Sequence, residues 1–89
     1  MKKVYVFTLN SCGHCQVLKK ELRELAIEFS DVEISQNPDI WKNIIEQTKE
    51  DILPTVFIQT GDDGSGTVYI PGKDFQSNEE IIKIIKTNI

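Results

Sequence analysis

Cys12-Gly13-His14-Cys15 holds the only two cysteines and the only histidine of the chain. Two sulfurs at this spacing can close a disulfide across one helical turn, so the chemistry within reach is thiol–disulfide exchange. Position adds to spacing. The segment follows an apolar β-type run and opens a helical pattern, so Cys12 falls where unpaired backbone N–H groups point at its sulfur and favour thiolate over thiol. A helix terminus supplies about 0.3–1 kcal/mol, up to ~2 in partly buried geometry. Further stabilisation falls to the Cys15 S–H and to His14, which acts electrostatically when protonated. Cys12 is thus the expected nucleophile, and Cys15, one turn inside, the thiol that resolves the mixed disulfide. Gly13 keeps the approach to Cys12 open.

Other readings of the same residues carry less weight. A closed zinc site needs four ligands, and Cys12, His14 and Cys15 offer three, so no metal is expected within one chain. A metal or iron–sulfur cluster shared between two subunits stays open. A purely structural disulfide is rare in the cytoplasm. That compartment is expected here: the start, Met1-Lys2-Lys3-Val4-Tyr5-Val6-Phe7, is too short in apolar residues for a signal sequence and runs straight into the dithiol.

The 89 residues make one domain, residues 1–89. Ten basic against fourteen acidic side chains give a net charge of −4, which argues against nucleic acid as a partner. No apolar run reaches the ~18 residues of a membrane span. Disulfide-containing proteins or glutathione remain as partners, and the chain is expected to act as a monomer without a tightly bound cofactor.

The elements that must position the dithiol follow from the pattern. Lys3 to Thr8, β-branched and aromatic, reads as a central strand apolar on both faces. A helix is expected from about Cys12 to Phe29, with Leu18, Leu22, Leu25 and Phe29 on its inner face and Lys19 among the outer residues. Asp31 to Ser35 reads as a second strand. Asn37-Pro38-Asp39 signals a helix start, with Asn37 as cap; that helix runs to about Lys49, with Trp41 in the core. Pro54 opens a strand over Thr55 to Thr60, and residues 61–66 form a hairpin loop before a strand from Thr67 to Ile70. Ser77 and Glu80 make a capping box for a last helix, with Ile81, Ile82, Ile85 and Ile89 inward. The order β-α-β-α-β-β-α predicts a parallel first pair with a right-handed crossover, an antiparallel final hairpin, and a four-stranded mixed sheet covered by helices.

With these residues in place, the sequence resembles the thioredoxin superfamily, and within it the glutaredoxins. The likeness rests on the strand–CGHC–helix start, on Ile52-Leu53-Pro54-Thr55-Val56-Phe57-Ile58, and on Gly72-Lys73-Asp74 before the last helix. It implies an α/β thioredoxin-like fold of the glutaredoxin type, with three layers, and a thiol–disulfide oxidoreductase. It also implies that Pro54 is cis and faces the dithiol, leaving the Leu53 backbone free to pair with a substrate strand. Gly72 and Asp74 would hold the γ-glutamyl end of glutathione, the expected cosubstrate. The stretch Thr8-Leu9-Asn10-Ser11 carries no basic residue, and Gly13-His14 stands where glutaredoxins usually have Pro-Tyr. A thioredoxin-type electron donor served by a flavin reductase is the alternative.

Overall fold

The computed structural model describes residues 2–89. The elements run β1 (Lys3–Thr8), α1 (Gly13–Glu24), β2 (Ser30–Glu33), α2 (Pro38–Thr48), β3 (Thr55–Gln59), β4 (Gly66–Tyr69) and α3 (Asn78–Asn88). The strands form one sheet in the order β2-β1-β3-β4. β1 pairs parallel with β2 and antiparallel with β3, and β3 pairs antiparallel with β4. The expected order and mixed sheet are therefore present, with β1 and β3 central.

β1 is apolar on both faces because both are covered. Val4 and Val6 turn to one side, joining Leu18 and Leu22 of α1, Ile81, Ile82 and Ile85 of α3, and Val56 and Ile58 of β3 in a single core. Phe7 turns to the other side, where its ring lies 5.7 Å from that of Trp41 in α2. Trp41 is buried, with its indole N–H given to Asp51 Oδ1 at 3.2 Å. Helices thus cover both faces, and the sheet is the middle of three layers.

α1 ends five residues earlier than its periodicity predicts. Ala26 takes the left-handed conformation at φ 56. Its N–H bonds to Arg23 O at 3.0 Å and the Ile27 N–H to Leu22 O at 2.9 Å. This pair of bonds closes the helix as a Schellman motif. Leu25, expected inward, is consequently 46% exposed, and Ile27 enters the core in its place. Phe29 reaches the core from the loop, with the Arg23 guanidinium 5.5 Å from its ring centre. An L-residue in this conformation costs about 1–2 kcal/mol. Part of that returns as chain entropy when glycine replaces it, so Ala26→Gly is expected to stabilise the fold by about 1 kcal/mol. In a domain this small that raises the thermal midpoint by about 4–8 °C; an unchanged or lower midpoint counts against the motif.

Other termini depart by smaller amounts. Asn37 does not cap α2 through its side chain; its Nδ2 donates instead to Glu33 O at 2.9 Å. Ser77 caps α3 by accepting the Glu80 N–H at 3.2 Å, while Glu80 reaches back to the N–H of Gln76 rather than Ser77. Ile89, expected inward, is exposed. β2 stops at Glu33, whose carboxylate accepts the N–H groups of Ser35 and Gln36 and turns the chain. β4 begins at Gly66, where a Cβ would stand 2.2 Å from Ile58 O, so only glycine lets the hairpin strands pair that closely.

Candidate active site

Thr8 ends β1, and a three-residue link delivers the chain to Cys12. The link is pinned twice at Leu9, whose carbonyl accepts the Cys12 N–H at 2.9 Å and the Gln16 side-chain amide at 3.2 Å. Cys12 is then the N-cap of α1, and its Sγ accepts the Cys15 N–H at 3.3 Å. The sulfur occupies the place that a serine or aspartate oxygen takes in ordinary helix caps.

The two cysteines are unlike in their surroundings. Cys12 is partly exposed and Cys15 is buried. Burial first, and then the hydrogen bond to Cys12, push the Cys15 thiol up to about 12, while the Leu9 backbone and the Lys19 charge pull the other way. Cys15 therefore holds its proton at neutral pH. The His14 side chain is exposed, and its carbonyl accepts a 3.4 Å bond from Asn78 Nδ2 at the start of α3. A Cβ at Gly13 would touch nothing within 4 Å, so that side of the dithiol is open.

β3 brings its own contribution to this end of the sheet. Phe7 is paired with Thr55, which sets Pro54 opposite the end of β1, just before the dithiol link. The Leu53–Pro54 peptide is cis. Among the described residues, neither the N–H nor the C=O of Leu53 takes part in a hydrogen bond. Gly72 has φ 82 in an exposed turn. Asp74 closes that turn on itself, its Oδ2 accepting the Ile70 N–H at 2.8 Å.

One group near the dithiol was misplaced by periodicity. Lys19 is buried on the inner face of α1, where its ammonium donates to Asp31 Oδ2 at 2.8 Å. The Thr8 hydroxyl donates to the other Asp31 oxygen at 2.5 Å. Burial pushes the Asp31 carboxyl up, but the bonds from Lys19 and Thr8 and the charges of Lys19 and Arg23 outweigh it and hold the group below the usual range. The signal was available: Cys15, Leu18 and Leu22 step by three and four, and Lys19 is four on from Cys15, on the same stripe.

Among the described residues no three of His, Cys, Asp and Glu gather as metal ligands, and no helix is long and apolar enough to cross a membrane.

The arrangement is a thioredoxin-like fold with a dithiol at the start of its first helix. A glutaredoxin family model matches residues 4–62, and the chain belongs to that family. No curated protein matches it. Solved structures agree on the fold. The thioredoxin of Fasciola hepatica aligns with a TM-score of 0.67 at 18% identity, over 99% of this chain and 81% of that one. A chloroplastic thioredoxin z gives 0.65 at 21%, over 98% and 77%. NrdH-redoxin from Escherichia coli, described as a glutaredoxin-like protein with a thioredoxin-like activity profile, gives 0.64 at 16%, over 92% and 93%.

Proposed function

We propose that this chain reduces protein disulfides and glutathione mixed disulfides through Cys12 and Cys15, acting as a monomer in the cytoplasm with glutathione as cosubstrate. One observation carries the reading: an accessible sulfur caps a helix while its partner is kept buried and protonated beneath it. The Cys12 sulfur, as thiolate, attacks one sulfur of the substrate disulfide. A Cys12–substrate disulfide forms and the other substrate sulfur leaves as a thiolate. Cys15 then attacks Cys12 Sγ, the second substrate thiolate departs, and the proton lost by Cys15 ends on a released thiol. Two glutathione molecules return the Cys12–Cys15 disulfide to the dithiol and leave as glutathione disulfide. The unpaired backbone of Leu53 offers an extended substrate the bonds of an added strand, with Pro54 fixing its place and Gly13 and His14 flanking the approach. Gly72 and Asp74 lie in the turn assigned to the γ-glutamyl end.

A second reading is favoured by a specific observation. The Asp74 carboxylate is committed to the Ile70 N–H, and no basic residue lies in Thr8–Ser11. Both weaken a glutathione grip and suit an electron donor recharged by a flavin reductase. Cys15→Ser treated with oxidised glutathione separates the two. A stable adduct of one glutathione on Cys12, seen as a single mass increment, is the expected result. No adduct, together with turnover of the unsubstituted protein by a thioredoxin reductase, would replace glutathione with the reductase.

A further inference from the structure

Lys19 follows Cys15 by one helical turn and is only 5% exposed. Lysine is rarely buried without a partner, and here three elements hold it: α1 carries it, β2 supplies Asp31, and β1 supplies the Thr8 hydroxyl that fixes Asp31 from the other side. Such a pair is a weak source of stability compared with apolar packing, so stability alone does not account for a lysine at this depth. The pair is lopsided. The Asp31 side chain is 34% exposed and the Lys19 side chain 7%. Water screens the carboxylate, while the ammonium is enclosed on the face that also buries Cys15, where a charge acts more strongly.

We infer that Lys19 is a positioning residue for the resolving step: its enclosed ammonium stabilises the negative charge that develops on the Cys15 sulfur as it attacks the mixed disulfide. The inference rests on the thiol–disulfide reading above. In the free dithiol, burial and Cys12 raise the Cys15 thiol, and the Leu9 backbone and then the Lys19 charge oppose them. Once Cys12 is bonded to substrate, its charge is gone and burial remains as the main obstacle, with the Leu9 backbone and the Lys19 charge set against it. The proton of Cys15 passes through solvent to the departing substrate thiolate, the Cys15–Cys12 bond forms as the Cys12–substrate bond breaks, and Lys19 keeps its own proton throughout.

A single turnover with a chromogenic aryl disulfide reads the two steps separately, because the first coloured thiolate reports attack by Cys12 and the second reports resolution by Cys15. In Lys19→Met the second phase is expected to slow about tenfold, equivalent to about 1.4 kcal/mol, with the first phase within about twofold. Lys19→Met/Asp31→Asn removes both charges, leaves no unpaired carboxylate to disturb the fold, and is expected to show the same selective slowing. An unchanged second phase in the folded double variant, or equal slowing of both phases, overturns the role of Lys19. If the unsubstituted protein releases no second thiolate, the redox reading itself fails.

Discussion

Cys12→Ser abolishes disulfide reduction and leaves the protein at least as stable as before. The activity is expected to fall by at least about a thousandfold, the scale on which loss of an attacking nucleophile registers, because a hydroxyl does not ionise at neutral pH as a thiol can. Stability should move the other way. Cys12 is the N-cap of α1, with its sulfur accepting the Cys15 N–H at 3.3 Å, and serine is among the preferred residues at that position. Activity and melting temperature therefore separate in one variant. Reductase activity within tenfold of the parent would remove Cys12 from the chemistry, and a clear loss of stability would show that the sulfur does more for the fold than cap a helix.

Leu18→Ala gives the largest effect expected on stability. Leu18 is fully buried where α1, α3 and the sheet meet. Deleting such a side chain costs about 2–5 kcal/mol, against a total of about 5–15 kcal/mol for a domain. The urea midpoint should fall steeply with its slope unchanged. Leu25→Ala, one residue past the end of α1 and 46% exposed, should stay within about 0.5 kcal/mol of the parent. Equal losses at the two positions would restore the longer helix that the sequence pattern suggests and contradict the Schellman ending.

That contrast shows what the sequence could tell. Element order, the mixed sheet and the helix-start position of Cys12 were legible, because apolar periodicity and the Cys-Gly-His-Cys spacing leave few alternatives. The end of α1 was not. Chain reversal there uses Ala26 at positive φ, where glycine would have announced it, and Leu25 and Phe29 kept an apolar rhythm past the real terminus. Lys19 was missed because its charge reads as solvated, although its step of four from Cys15 sets it on the buried stripe; its partner was not legible. Asp31 stands twelve residues away on another element, and only the parallel pairing of β1 with β2, which sets Val6 beside Asp31, brings the two together. Asp74 was legible as a residue of its turn, but whether its carboxylate faced outward or bonded to the Ile70 amide depended on backbone geometry that no spacing encodes.

The antiparallel register of β1 and β3 sorts the molecule into two poles. Phe7 opposite Thr55 marks the pole that carries the dithiol, and Lys3 opposite Gln59 marks the other. At that second pole lie the tip of the β3–β4 hairpin and a shallow cleft bordered by Lys2 and Ile89. A label carried at Lys2 or at Ile89 would thus leave from the side away from the sulfurs. An attachment there leaves the approach to Cys12 and Cys15 unobstructed.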